Sequence, residues 1–332
     1  MKEWGDGKIR VAVIGAGDWG LQHARAFTAR PDVRLCAIVG RTLERTRARA
    51  QRFDVPYYLG IKEMIDREQP DLVSLCLPNQ GHFSATLEVI EAGAPLLVEK
   101  PLVFDLGEAD RLLEAAAERR LFFAINFNHR YARPAQLARQ AISEGRLGTL
   151  VFATWRFGGE GASSHPHANL IETQCHGFDT LEYLCGPIAS MTAEMTDPSG
   201  TGCSTVALTL RFKNGAIGSL LGTYDSSYAY PGTQMLEVNG VDGRVFIEDT
   251  VRRYTFHQRG SEIGETWQAG YFNDRDRDFH HTFDVYLEDM LAAFRAGLDP
   301  PVPASAGRRA LALARTAIEA FHTGRRTKPD DF

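Results

Sequence analysis

The chain has 332 residues, 44% hydrophobic and 24% charged, with a formal net charge of −5. These are the proportions of an ordinary water-soluble globular protein; the length favours two domains, and the acidic balance argues against a nucleic-acid partner. Five scattered cysteines without a Cys-x-x-Cys pair, no apolar leader after Met1 and no run able to span a bilayer point to a reducing, cytoplasmic setting with no membrane or metal partner.

Taken in order, the first stretch alternates short apolar runs with amphipathic ones. Strands are expected at Ile9–Ile14, Val33–Val39, Asp71–Leu77, Pro95–Val98 and Leu121–Ile125, with helices at about 19–29, 43–53, 61–68, 82–92 and 106–119. Leu72-Val-Ser-Leu-Cys-Leu77 is apolar on both faces, as a strand covered by helices on both sides must be, so the rhythm predicts an α/β fold with a doubly wound parallel sheet. A sixth helix is expected over Pro134–Glu144, stopped by Gly145.

Beyond Gly148 the texture changes. A long strand is expected at Thr149–Phe157, then a Gly/Ser/His-rich loop over Gly158–Asn169 and a helix at about 172–185 ending at Gly186-Pro187. Strands follow at roughly 190–195, 203–212, 216–224, 233–239, 244–249 and 251–257. Lys213-Asn214-Gly215 has hairpin-turn composition. Helices return at about 280–296 and 305–323, joined by Pro300-Pro301-Val302-Pro303. Runs of antiparallel strands with helices on one face predict an α+β second domain. The expected division is 1–127 and 128–332, with the final helix free to pack back on the first domain.

The first strand runs into Gly15-Ala16-Gly17-Asp18-Trp19-Gly20 and then into a helix. In that context Gly-x-Gly-x-x-Gly has a mechanism: Gly15 makes the tight turn, Gly17 lets backbone approach a pyrophosphate, and Gly20 lets helix and strand pack closely. The helix N-terminus, with Asp18 and Trp19 in its first turn, then faces the phosphates. A nicotinamide dinucleotide is therefore expected. The second strand ends Val39-Gly40-Arg41-Thr42, where a carboxylate would ordinarily hold the ribose 2′-hydroxyl. Gly40 removes it, and Arg41 with Arg45 one turn on offers a guanidinium fork suited to a 2′-phosphate. NADP is favoured over NAD, the other reading being that both arginines are solvated.

The loops at the carboxyl ends of the third and fourth strands should face the nicotinamide half. The first is Leu77-Pro78-Asn79-Gln80-Gly81-His82, in which Asn79 and His82 are candidates and His82 has an equally good capping or packing role. The second is Val98-Glu99-Lys100-Pro101. A lysine there can stabilise charge on a substrate oxygen or position its hydroxyl, Glu99 can pair with a cation, and Pro101 fixes the turn.

The glycine turn, Glu99-Lys100-Pro101, and the stretch Asn126–Gly148 with Arg130, Pro134 and Gly145-Arg146-Leu147-Gly148 resemble the glucose–fructose oxidoreductase and inositol dehydrogenase (Gfo/Idh/MocA) family. The resemblance runs through nearly the whole chain, to Pro303-Ala304-Ser305 and the final helix. It implies an N-terminal Rossmann domain and a C-terminal domain with an open, mainly antiparallel sheet that often forms the oligomer interface, hence a homodimer or homotetramer. It also aligns Lys100 with the family's lysine and His176 with its catalytic histidine. Glu172 stands where the family has Asp, one methylene longer. Residues four apart share a helix face, so Glu172 and His176 can both point to a cleft, with Asp179 holding the imidazole or packing. A histidine's unperturbed pKa lies near neutrality, so His176 is the best proton acceptor or donor. Asn128, Arg130, Trp155 and His165 complete the candidate substrate contacts.

The function expected is interconversion of a secondary hydroxyl and a ketone on a sugar, sugar derivative or cyclitol, by hydride transfer at nicotinamide C4. The alternatives are a non-catalytic dinucleotide-sensing regulator of the same fold and a reductase of a non-sugar substrate of dihydrodiol type.

Overall fold

A computed structural model describes residues 7–78, 81–161, 165–200 and 202–330. The chain begins with β1 (Ile9–Ile14), α1 (Asp18–Thr28), β2 (Val33–Val39), α2 (Leu43–Gln51), β3 (Tyr57–Tyr58) and α3 (Ile61–Glu68). It continues with β4 (Leu72–Leu75), α4 (His82–Glu91), β5 (Leu96–Val98), α5 (Leu106–Glu118) and β6 (Phe123–Ile125). The six strands form one sheet in the order β3-β2-β1-β4-β5-β6, every pair parallel. Strand order reverses between β1 and β4, which opens a crevice beyond their carboxyl ends. Burial explains the apolar runs: Val11, Ala12, Val13, Leu72, Val73 and Leu75 are all inaccessible to solvent.

A 3-10 turn at Asn128–Tyr131 leads into α6 (Arg133–Ser143), where Pro134 sits in the first turn and needs no backbone donor. Then come β7 (Leu150–Gly158), a π turn at Asn169–Thr173, α7 (Cys175–Cys185), β8 (Ile188–Thr196), β9 (Thr205–Phe212), β10 (Ile217–Thr223), β11 (Gln234–Gly240), β12 (Gly243–Glu248), β13 (Arg253–Gln258), β14 (Gly264–Gln268) and α8 (Asp274–Arg277). The eight strands form a second sheet, β14-β13-β12-β11-β7-β10-β9-β8, antiparallel throughout except for β7 beside β10. The alternation is clean along β9: Val206, Leu208, Leu210 and Phe212 are buried, whereas Ala207, Thr209 and Arg211 face outward. That outward face also carries Ile217 and Leu221, 52% and 42% exposed, so the sheet is open on one side. The α/β and mainly antiparallel α+β architectures read from the sequence are both present. The edge strands β3 and β14 and the short α8 were not anticipated.

The last two helices are α9 (His281–Ala296) and α10 (Ser305–Thr323). The described chain divides into two compact units, 1–126 with 283–308 and 127–282 with 309–332. A single break at 127/128 is therefore corrected: it is the penultimate helix, α9, that joins the first unit. The reason is its apolar stripe. Phe283 lies 4.2 Å from the His23 ring and meets Phe27 edge-on, and the Tyr286 hydroxyl donates to the Ile125 carbonyl at 2.9 Å. Ion pairs Arg25–Asp284 and Arg295–Asp32 flank it. The proline-rich connector before α10 runs antiparallel beside β6, with Ile125 N–H bonded to Val302 and Ala304 N–H to Phe123.

Candidate active site

In the first unit the glycine turn is built as its spacing requires. Gly15 has φ +134°, and a β-carbon there would lie 2.2 Å from the Cys76 carbonyl oxygen. A β-carbon on Gly20 would lie 1.9 Å from the Gly15 carbonyl, so only glycine lets α1 sit this close to β1. Gly17 is different: its β-carbon position is open, it is the N-cap of α1, and no side chain caps the helix. Open backbone in front of a helix N-terminus is what a pyrophosphate requires, and the residues present fit a dinucleotide. Asp18 and Trp19 lie in the exposed first turn.

At the end of β2, Gly40 is demanded by packing. A β-carbon there would meet the Thr46 hydroxyl oxygen at 2.3 Å and the Ala16 β-carbon at 3.0 Å, while that hydroxyl donates to the Thr42 carbonyl at 2.7 Å. The hydroxyl thus fills the space through which a carboxylate side chain at position 40 would leave the backbone. Arg41, Thr42 and Arg45 are exposed beside it. Arg49, not singled out from the sequence, donates to the carbonyls of Ala16 at 3.3 Å and Gly17 at 3.2 Å. Its signal was available, since Arg41, Arg45 and Arg49 are spaced by four.

Beyond β4, Leu77 is half-buried and Pro78 exposed; Asn79 lies outside the described residues. His82 is 2% exposed, with Nδ1 3.2 Å from the Leu102 carbonyl, and burial pushes its pKa down. The imidazole thus ties α4 to the chain beyond Pro101.

Lys100 follows β5 and is half-buried, and its peptide bond to Pro101 is cis. Behind it is a polar network that the sequence did not announce. Glu99 accepts from Asn126 Nδ2 at 2.6 Å and from the Lys100 backbone N–H at 3.2 Å, and lies 2.8 Å from His23 Nε2; His23 Nδ1 is 2.7 Å from the Ser74 hydroxyl. Burial pushes the Glu99 carboxyl up, but His23, Asn126 and the Lys100 charge together bring it below its ordinary value. Glu99 is therefore a buried carboxylate that fixes the Lys100 backbone; it does not face solvent as a ligand contact would.

In the second unit His176, 6% exposed, is the second residue of α7. The helix expected from residue 172 is instead a π turn followed by α7, with Gln174 N–H bonded to the Asn169 carbonyl at 2.9 Å. Glu172, half-buried, thus lies in the π turn and not on one continuous α-helical face with His176. Gln174 explains the irregularity: it accepts from Trp155 Nε1 at 3.0 Å and donates to Asn169 Oδ1 at 3.0 Å and to the Phe157 carbonyl at 3.3 Å. Trp155 is accordingly a core residue whose indole N–H is committed to Gln174, and a β-carbon on Gly177 would strike that nitrogen at 2.6 Å.

Asp179 holds Arg130, with guanidinium bonds of 2.8 and 2.5 Å, and the guanidinium lies 5.1 Å from the Tyr183 ring centroid. Burial pushes the Asp179 carboxyl up against the pull of Arg130, and the carboxylate raises Arg130 despite its own burial. Arg130, expected at the substrate, is engaged in this ion pair, and Asn128 donates to the Thr282 hydroxyl at 2.8 Å. His165 Nδ1 accepts the His167 backbone N–H at 3.1 Å. His129 was missed as well. Its ring stacks on His176 with centroids 4.0 Å apart and planes 13° from parallel. Among the described residues no group of His, Cys, Asp and Glu could hold a metal, and no helix is long and apolar enough to cross a membrane.

A Rossmann sheet with an open glycine cradle, followed by a unit carrying a buried histidine, defines a nicotinamide-dependent oxidoreductase of CH–OH groups. Residues 9–127 match the oxidoreductase family model for the NAD-binding Rossmann fold, and residues 135–246 match the GFO/IDH/MocA C-terminal domain; the chain belongs to this family. It is 26% identical to the myo-inositol 2-dehydrogenase of Thermotoga maritima, over 97% of this chain and 99% of that one. It is 25% identical to the inositol 2-dehydrogenase of Rhizobium meliloti, over 93% and 96%. Levoglucosan dehydrogenase in complex with NADH and levoglucosan superposes with a TM-score of 0.87 at 18% identity, covering 98% of this chain and 100% of that one.

Proposed function

We propose that the protein oxidises a secondary hydroxyl, or reduces the matching ketone, on a sugar, sugar derivative or cyclitol, with NADP preferred over NAD. The carrying observation is Lys100 at the carboxyl end of β5, its backbone fixed by the buried Glu99 carboxylate. A nicotinamide, when bound, accepts or supplies the hydride. Lys100 hydrogen-bonds the reacting oxygen and offsets its developing negative charge, and His176 takes or returns the hydroxyl proton. Glu172 supplies a carboxylate to the same chemistry, on a π turn, so its reach differs from that of an acid on an α-helix.

The substrate class draws support from relatives named as inositol 2-dehydrogenases and as a D-glucoside 3-dehydrogenase. The NADP preference draws on Gly40, whose missing side chain is enforced by Thr46, and on Arg41, Arg45 and Arg49. Arg41 and Arg45 pair with a 2′-phosphate, and Arg49 braces the turn. The open sheet face with Ile217 and Leu221 supports association through the second unit as a homodimer or homotetramer.

The test is a panel of inositols, glucosides and anhydrosugars with each of the four nicotinamide cofactors, followed by absorbance of the reduced ring in both directions. Turnover of at least one polyol is expected, faster per cofactor bound with NADP. Tight cofactor binding without turnover of any compound in either direction would favour a dinucleotide sensor and overturn the proposal.

A further inference from the structure

Two buried imidazoles lie in parallel contact in the second unit. His129 comes from the 3-10 turn after β6 and His176 from the start of α7, and both are nearly inaccessible, at 3% and 6% exposure. Their surroundings are aromatic. Phe127 meets His176 edge-on at 5.9 Å, and Phe279 meets His129 edge-on at 5.4 Å. Trp155 and Phe157 each lie 6.2 Å from His129. Charged and titratable groups on the neighbouring elements include Arg130 and Asp179, which neutralise each other, Glu172 in the π turn, Cys175 beside His176, the Asp278–His280 pair on either side of Phe279, and Tyr224, whose hydroxyl lies 2.8 Å from that of Thr173.

We propose that His129 is a positioning residue for His176: the stacked pair carries one proton between them, and the His129 face fixes the plane in which His176 exchanges it. This rests on reading His176 as the proton acceptor. Two like charges 4.0 Å apart among aromatic rings repel with little screening, so a second proton is opposed. A neutral ring face, by contrast, is a favourable neighbour for a cation, so neutral His129 supports the imidazolium that forms when His176 takes a proton. In a parallel stack the ring nitrogens point along their planes and not at each other. The His176 nitrogens therefore lie in the ring plane, clear of His129, while the stack resists tilting.

The test is an NMR titration of histidine-labelled protein, wild type against His129→Phe and His129→Ala, with His176→Ala to assign the signals. In wild type the pair is expected to take up a single proton across the neutral range. In His129→Phe, which keeps a neutral ring face, the His176 midpoint is expected to stay within about half a pH unit of wild type, whereas in His129→Ala, which removes the face, it is expected to fall by about one pH unit, a tenfold loss of proton affinity. In parallel, kcat is expected to fall roughly tenfold in His129→Ala with KM nearly unchanged, the size of a lost orientation effect. His129→Phe is expected to restore most of that kcat above its own midpoint. An unchanged His176 midpoint in His129→Ala, or two independent proton uptakes in wild type, overturns the proposal; should the alanine variant not fold, the wild-type titration decides. Because the NMR signal reports His176 itself, failure of the base assignment is seen separately, as normal turnover of His176→Ala beside an intact coupled titration in wild type.

Discussion

His23 Nε2 lies 2.8 Å from Glu99 Oε1, with both residues buried, 76 positions apart in the chain. The imidazole enters from α1, just after the glycine turn, and the carboxylate from the end of β5, so one contact links the cofactor cradle to the lysine loop. Replacing His23 by Ala removes the largest of the hydrogen bonds that keep Glu99 ionised. A loss of roughly 2–3 kcal/mol is expected, the cost of leaving a buried charged group short of a partner. Urea unfolding at neutral pH measures it, and His23→Asn should recover part. The sign with pH follows from the lowered Glu99 pKa. Its stabilising contribution is complete above the free value of 4.5 and disappears as pH falls through the lower folded value, so wild type should lose its margin over His23→Ala in acid.

Lys100→Met keeps the unbranched stem of the side chain and removes the ammonium. Turnover is expected to drop by about a hundredfold or more, while cofactor affinity, measured by fluorescence of the reduced nicotinamide, stays within a few-fold. Near-normal turnover would remove Lys100 from the chemistry.

Arg41→Ala should weaken NADP by roughly tenfold and NAD hardly at all, since only the phosphate offers a partner for the guanidinium. Arg49→Ala should weaken both, because its bonds go to the Ala16 and Gly17 carbonyls and so shape the turn common to the two cofactors. Equal losses of NAD and NADP in Arg41→Ala would sink the phosphate argument.

Asp179→Asn leaves Arg130 mostly buried without its counter-charge. A loss of about 3 kcal/mol is expected from the broken buried pair. Thermal melts of the variant and of the double change Arg130→Met/Asp179→Leu would separate an unpaired charge from lost packing, the double variant being the more stable of the two.

Much of the molecule was legible as sequence because its signals are local. β1, β2 and α3 fall at the expected bounds, since an apolar run or amphipathic period is complete within a few residues. The glycine turn was legible for the same reason: the clash that forbids a β-carbon at Gly20 is with Gly15, five residues away. Lys100 and His176 were singled out as candidates through family-like motifs around them. His129 was passed over although it stands in such a stretch, beside Arg130, because nothing local distinguishes a histidine that stacks on another from one that merely packs.

What the sequence determined by itself is the Rossmann alternation, the dinucleotide turn, the missing acid at Gly40 and the placing of a lysine at a strand's end. Each follows from neighbours along the chain. Tertiary structure alone decided that α9 belongs with the first unit, that Thr46 enforces Gly40, that Asp179 serves Arg130, and that His129 lies face to face with His176. Those pairings join residues that the sequence does not set side by side, and a polar group's partner is chosen by what burial brings within hydrogen-bond reach, which no spacing rule encodes.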